Sequence, residues 1–263
     1  MTATGLERIA DAFAGEGRRA ALMPYMMGGF PTLDRSRQIA EAYIDAGADL
    51  IELGIPFSDP LADGPVIHAA ATATLACGVT TADVLELAAA FADRVPVVVM
   101  AYANTVLAPG LERFLERLLG AGVAGMIVPD LPHEEGEQLA REAASRGLAL
   151  VPLVAPTTTD ERLARIGARA SGFVYVVAVT GTTGERATQA GSLAPLVARA
   201  KGASGVPAAV GFGISTPEHA LAAAAAGADG VIVGSRLVRA AADGEEIGGL
   251  VAAFARALSA PVP

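Results

Sequence analysis

Two carboxylates lie where an acid–base pair could form. Glu52 interrupts the apolar run 50–53, and Asp63 lies in the proline-rich segment 56–65 that follows it. An unpaired buried carboxylate costs several kcal/mol, so a chain retains one only with a partner or a chemical role. One acid on a buried strand and one on a loop can differ in pKa, as general acid–base catalysis requires. The same loop contains Asp59, and by sequence either aspartate could simply cap a turn.

Glu52 also departs from a weak internal repeat. Segments 46–52, 121–127 and 226–232 align without gaps, and Glu52 then stands opposite Ile127 and Ile232. In each copy we expect a helix to end on a left-handed glycine and a strand to follow at once. The repeat therefore places a carboxylate at a core position near the carboxyl end of a strand. Two structural explanations compete with a catalytic one: the side chain points outward, or an arginine neutralises it.

Two glycine-containing segments predict an anion site. The segment 211–215 follows one predicted strand, and Gly234 and Ser235 follow the next, ahead of a short helix that begins near Arg236. Glycine lets backbone N–H groups approach an anion, and a helix N-terminus favours negative charge. Either segment alone could be a tight turn, but both together indicate a phosphate ligand. A third polar segment, 180–191, has the composition of a lid that excludes water on closing.

Other reactive residue types give weaker signals. Tyr25, Tyr102, Tyr175 and Phe212 fall at or near predicted strand ends and suggest a flat apolar substrate, although core packing explains each one singly. The three histidines lack metal-ligand spacing, so we expect no metal site. The one cysteine, Cys77, excludes an intramolecular disulfide, and we expect it to be a packed small residue.

These residues need a scaffold, and β-rich runs alternate with helical patterns along the whole chain. Eight strands are predicted, over 21–26, 50–53, 96–101, 125–128, 148–154, 172–179, 208–211 and 230–233. The intervening helices are predicted over 34–46, 82–92, 111–119, 134–146, 160–168, 193–201 and 217–226, with an extra helix at 6–14 before the first strand. Eight strand–helix units in this length predict an α/β fold, a (β/α)8 TIM barrel formed by one domain over 1–263. A doubly wound sheet would favour the pattern G-x-G-x-x-G after the first strand, whereas residues 27–31 read MGGFP.

Composition narrows the function classes. The 263 residues carry a net charge of −9, which argues against nucleic acid or an anionic membrane as partner. Mean hydropathy is +0.46, yet the longest uncharged run, 95–111, falls short of the roughly 20 apolar residues of a spanning helix. The first residues show no signal pattern. We therefore expect a cytoplasmic protein with a large buried core.

The segment 50–65 reads LIELGIPFSDPLADGP and closely resembles the hallmark of the tryptophan synthase α chain family. The resemblance extends over essentially the whole chain. It includes PY at 24–25, YAN at 102–104, PDLP at 129–132, VTGTTG at 179–184, GFGIS at 211–215 and GS at 234–235. The acidic segment is highly specific, whereas other phosphate-binding barrels share the glycine-rich segments.

The resemblance implies a carbon–carbon lyase that cleaves indole-3-glycerol phosphate into indole and glyceraldehyde 3-phosphate, the penultimate step of tryptophan biosynthesis. It implies that Glu52 is the general acid–base and that Asp63 accepts the indole N–H. Further roles carry over as groups: the phosphate contacts Gly184, Gly213, Gly234 and Ser235, the indole pocket Tyr25, Tyr102, Tyr175 and Phe212, and the lid residue Thr183. No cofactor is implied.

The family works with a pyridoxal-phosphate β chain that receives indole, so the resemblance implies an α2β2 heterotetramer. Asp59, Asn104 and Pro132 lie on segments that the family uses near that contact. Two departures from the family pattern are His68, where Gln is common, and the segment 185–191. Three other interpretations remain: a lyase that acts without a β chain, a phosphate-binding regulatory subunit with little activity, and another phosphate-sugar barrel enzyme.

Overall fold

The computed structural model describes residues 3–15, 17–177, 186–211 and 213–259, with only the backbone of 186–192. It contains parallel strands that are buried almost throughout, as expected for strands covered on both faces. In chain order the strands are β1 (Ala21–Met27), β2 (Ile51–Gly54), β3 (Val97–Met100), β4 (Gly125–Ile127), β5 (Ala149–Leu150), β6 (Leu153–Val154), β7 (Val174–Val177), β8 (Ala208–Gly211) and β9 (Gly230–Val233).

Helices connect these strands and cover the outer face of the sheet. They are α1 (Gly5–Phe13), α2 (Leu33–Asp45), α3 (Pro65–Ala76), α4 (Thr81–Ala89), α5 (Ala103–Leu107), α6 (Leu111–Gly120), α7 (Glu137–Ser145), α8 (Asp160–Gly167), α9 (Arg186–Ser204), α10 (Pro217–Ala225), α11 (Ser235–Ala242) and α12 (Ile247–Ser259). Threonines cap several of them: Thr4, Thr32, Thr80, Thr159 and Thr216 each accept a backbone N–H from the first helical turn.

The sheet closes on itself through one stretch of chain. Its strand order is β5-β4-β3-β2-β1-β9-β8-β7-β6, so the two ends are consecutive in sequence. Val151 N–H bonds to the Met126 carbonyl, and the Pro152 carbonyl accepts from Tyr175 N–H, which ties this stretch to β4 and to β7. The predicted strand 148–154 is therefore two short strands that together occupy one of the eight strand positions of the barrel. Pro152 interrupts it because proline has no N–H for the ladder. The predicted (β/α)8 barrel is confirmed.

The extra N-terminal helix closes the amino end of the barrel. Ile9 of α1 is fully buried with the inward-facing residues Met23, Leu50 and Val98. Phe13 packs on Phe173 with ring centroids 5.5 Å apart. Because this end is filled with apolar side chains, the interior opens only toward the carboxyl ends of the strands.

The internal repeat has the structure that the sequence predicted. Gly47, Gly122 and Gly227 follow α2, α6 and α10 with φ of 91°, 68° and 94°. The aspartates of the first and last copies then bond to the neighbouring strand: Leu22 N–H donates to Asp49 at 2.7 Å, and Ala208 N–H to Asp229 at 2.9 Å. Each repeat thus ends a helix and fixes the start of a strand.

Three features differ from the sequence predictions. Residues 186–191, predicted as part of a polar loop, belong to α9, where the arginine, alanines and glutamine of RATQA favour a helix. Cys77, predicted to be packed, is exposed at the end of α3. Helices α5 and α12 were not predicted, since α5 has only one turn and α12 contains two consecutive glycines.

Within the described residues no single helix is long and apolar enough to cross a membrane; only α3 with α4, bent by 104° between them, reach that length and composition together. The same part of the chain holds no cluster of three His, Cys, Asp or Glu that could bind a metal ion.

The repeat glycines give a stability prediction. At Gly47 an added Cβ would meet only Ala255 Cβ at 3.8 Å, so Gly47→Ala causes no steric clash. The substitution should lower the free energy of unfolding only because alanine disfavours the left-handed backbone conformation. We expect a loss of about 1 kcal/mol in denaturant unfolding. The matched change Gly202→Ala, in α9 with open space around it, should instead stabilise slightly. Shifts of the same sign in both variants would contradict this assignment.

Candidate active site

Glu52 lies at the floor of a cavity at the open end of the barrel. Strand β2 pairs with β1 and β3 so that Glu52 stands beside Tyr25 and Val98. The residue is 1% exposed, and its Oε2 has no hydrogen-bond partner. No Lys or Arg in the described residues pairs with it, so neither structural explanation for Glu52, an outward side chain or a neutralising arginine, holds.

This environment favours the protonated form of Glu52. Burial, followed by the nearby charge of Asp63, raises the pKa of Glu52 to about 8. Burial raises the pKa of a carboxyl because the anion loses its hydration, and a neighbouring carboxylate adds repulsion. At neutral pH Glu52 is therefore mostly a proton donor.

Asp63 is held over the cavity by Tyr102. The Tyr102 hydroxyl accepts the Ala62 N–H at 3.1 Å and bonds to the Asp63 carboxylate. The Tyr102 ring stacks on Phe57, with centroids 5.0 Å apart, and so fixes both ends of the acidic loop. Burial raises the pKa of Asp63, while the Tyr102 hydrogen bond and the charge of His68 oppose that rise. The departure at His68 therefore places an imidazole near one of the two acids.

Tyr25 of β1 and Tyr175 of β7 both line the cavity, and each leans over a glycine of the next strand. A Cβ on Gly54 would lie 2.2 Å from the Tyr25 hydroxyl oxygen, and a Cβ on Gly211 would lie 2.2 Å from that of Tyr175. Burial is the main cause that raises the pKa of both hydroxyls, so both stay neutral donors. Any side chain at these two glycines would displace a wall of the cavity.

The cavity measures about 240 Å³ and opens toward the loops after β8 and β9. Gly213, with φ 78°, turns the first loop, and Gly234 leads into α11 without a side-chain cap. The N–H groups of the first turn of α11 therefore face this end of the cavity. Ser215 lines the same end, and its hydroxyl lies 3.2 Å from His219 Nδ1.

Most of the predicted residues come together here. Those that line the cavity are Tyr25, Glu52, Asp63, Tyr175, Gly213, Gly234 and Ser235. Tyr102 does not line the cavity but supports Asp63 through a hydrogen bond. Asp59 is exposed, and its carboxylate accepts a hydrogen bond from the Ser58 hydroxyl. Phe212, Thr183 and Gly184 lie outside the described residues.

Sequence reasoning missed two cations in the cavity wall, Arg236 and Arg239 of α11. Their spacing of three on a helix that follows Gly234 and Ser235 was the available signal, because residues three apart share a face.

A larger cavity of about 340 Å³ lies beside the first, and Pro129 and Leu153 line both. Its arginines Arg162 and Arg169 pair with surface glutamates, and its aspartate Asp130 accepts the Ala103 N–H. It has no buried unpaired acid, so the smaller cavity is the candidate active site.

Comparison with known proteins agrees with the geometry. Residues 12–255 match the family model described as tryptophan synthase alpha chain. The chain belongs to the tryptophan synthase alpha chain family. It is therefore a carbon–carbon lyase of tryptophan biosynthesis, and the family reaction cleaves indole-3-glycerol phosphate.

Individual relatives match over nearly their whole length. The tryptophan synthase alpha chain of Gloeobacter violaceus is 48% identical over 95% of this chain and 93% of its own. That of Methanosarcina acetivorans is 42% identical over 99% and 96%. Among solved structures, Mycobacterium tuberculosis tryptophan synthase superposes with a TM-score of 0.89 at 36% identity, covering 99% of this chain and 100% of the other.

The raised pKa of Glu52 makes stability depend on pH. Its contribution is full below about pH 4.3, the usual carboxyl pKa, and is lost as the pH rises to about 8. We expect the thermal midpoint of the wild type to fall relative to Glu52→Gln between pH 5 and pH 8. The exposed control Glu86→Gln should follow the wild type. Parallel midpoints for wild type and Glu52→Gln would show that the folded-state pKa is ordinary.

Proposed function

We propose that Glu52 transfers both protons of the cleavage reaction. Protonated at neutral pH, it donates to C3 of the indole ring, which makes the bond from C3 to the glycerol carbon breakable. The resulting carboxylate then accepts the proton of the adjacent glycerol hydroxyl. As that proton leaves, the bond from C3 to the glycerol carbon breaks, its electron pair returns to the indole ring and the aldehyde forms. The residue ends the reaction protonated, as it began. A carboxyl with a pKa near the operating pH is suited to both steps.

Asp63 complements this role as an ionised partner. Burial raises the pKa of Asp63, but its hydrogen bond from Tyr102 and the charge of His68 oppose that rise, and Glu52 is buried more deeply. A carboxylate can accept the indole N–H and stabilise the positive charge that C3 protonation creates. Two acids with separated pKa values therefore have separate tasks.

The remaining site residues position the substrate. We propose that Tyr25 and Tyr175 bound the indole ring, with Phe212, and that backbone N–H groups at Gly213, Gly234 and Ser235, with Gly184, hold the phosphate. Tyr102 acts through Asp63, and Thr183 belongs to the closing lid. The uncapped start of α11 at the cavity supports a phosphate there.

The observation that carries this proposal is the buried, unpartnered Oε2 of Glu52 in the cavity. A regulatory subunit that only binds a phosphate ligand has no use for so costly a group.

Substitution of the two acids tests the chemistry. Glu52→Gln should lower kcat for indole release by at least about 100-fold, the usual scale of a lost general acid–base. The affinity of Glu52→Gln for a substrate analogue, in which propanol phosphate replaces the glycerol phosphate chain and the reacting hydroxyl is missing, should stay close to that of the wild type. Asp63→Asn should also lower kcat, while Glu86→Gln, on the outside of α4, should not. Near-normal turnover by Glu52→Gln would remove it from the mechanism.

We further propose that the chain is one domain over 1–263, works in the cytoplasm and assembles with a β chain as α2β2. The open end of the barrel supports a partner there, because Leu61, in the loop after β2, is 89% exposed and Leu107, in α5, is 51% exposed. Asn104 in α5 and Pro132 in the loop after β4 are exposed at the same end. A lyase that acts alone would leave these leucines in water.

Leucine substitutions distinguish a lyase that works with a β chain from one that acts alone. We expect a tryptophan synthase β chain to raise the rate of indole release, and Leu107→Asp to reduce that increase at a fixed β-chain concentration. Leu119→Asp is the control, since Leu119 is 43% exposed near the end of α6, at the opposite end of the barrel. A wild-type rate that the β chain leaves unchanged would favour the lyase that acts alone.

A further inference from the structure

The proposed substrate and this protein have charges of the same sign. A phosphate monoester carries nearly two negative charges at neutral pH, and the chain carries −9. The cavity itself contains the acids Glu52 and Asp63. Backbone N–H groups supply only partial charges, so a full positive charge near the phosphate end would strengthen the binding of a dianion.

Helix α11 supplies two guanidinium groups to the cavity wall, but one is already compensated. Arg236 forms two hydrogen bonds to Glu245, at 3.2 and 2.7 Å. Arg239 is exposed and pairs with no carboxylate among the residues that the structure describes. Of the two cations, Arg239 therefore has its charge available.

The position of Arg239 on the helix directs it toward the phosphate end. Ser235 and Arg239 are four residues apart, so they lie on one face, and helical side chains lean toward the N-terminus of their helix. Both residues line the cavity that contains the unpartnered carboxyl of Glu52. We propose that Arg239 is a substrate-binding residue that pairs with the phosphate from the second turn of α11. This inference rests on the proposed function.

Such a contact would act on binding and leave the chemical step unchanged. The phosphate keeps its charge from substrate to product, so Arg239 stabilises bound substrate and transition state equally. A charge-assisted hydrogen bond at an exposed position corresponds to a change of about 10-fold in affinity. We therefore expect Arg239→Gln to raise KM about 10-fold and to leave kcat within about 2-fold.

Arg256→Gln is the matched control. Arg256 is also exposed, in the last turn of α12, as Arg239 is in the last turn of α11. Both substitutions remove one positive charge, so any effect of net charge on substrate approach is the same in the two variants. Arg239→Lys keeps the charge and should recover part of the affinity.

The measurements are KM and kcat for indole-3-glycerol phosphate and the inhibition constant of glycerol 3-phosphate. For Arg239→Gln both KM and the inhibition constant should rise, while inhibition by indole, which has no phosphate, should not change. Equal values for Arg239→Gln and Arg256→Gln would overturn this role of Arg239, as would a fall in kcat alone. Failure of the wild type to release indole would instead overturn the proposed function.

Discussion

The site depends on one buried carboxyl that has no counter-charge. Glu52 is mostly protonated at neutral pH because β2 buries it, and no Lys or Arg among the described residues pairs with it. A cation paired with Glu52 would lower its pKa and remove its ability to donate a proton. The apolar packing around Glu52 is thus a chemical requirement as well as a source of stability. The closed barrel, with α1 filling its amino end, meets that requirement.

The tyrosine walls show how the strands adapt to this requirement. Tyr25 and Tyr175 occupy inward positions on β1 and β7, and each ring leans diagonally over a glycine on the adjacent strand. Gly54 and Gly211 thereby give up core packing so that a large side chain can bound the cavity near its open end. The same arrangement occurs twice, on β1 and on β7, which lie three strands apart in the sheet.

The sequence predicted features set by local pattern and missed those set by three-dimensional packing. The repeat glycines Gly47, Gly122 and Gly227 were predictable because a left-handed helix end strongly favours glycine. The eight strands of the barrel were predictable because each is an apolar run of strand length. The support that Tyr102 gives to Asp63 joins loops some 40 residues apart, and no local pattern reveals such a contact. The exposure of Cys77 likewise depends on which face of α3 meets the barrel.

The cavity is lined by acids from β2 and its following loop and by arginines from α11. Burial and the charge of Asp63 raise the pKa of Glu52, and a neutral Glu52 places no second negative charge beside Asp63, so this end of the cavity is less negative than two carboxylates would make it. An ionised pair would have repelled a dianionic substrate from both positions. Arg239 and the start of α11 also line this cavity. In the binding mode proposed above, this distribution of charge orients the substrate as well as binding it, with the ring toward the acids and the phosphate toward α11.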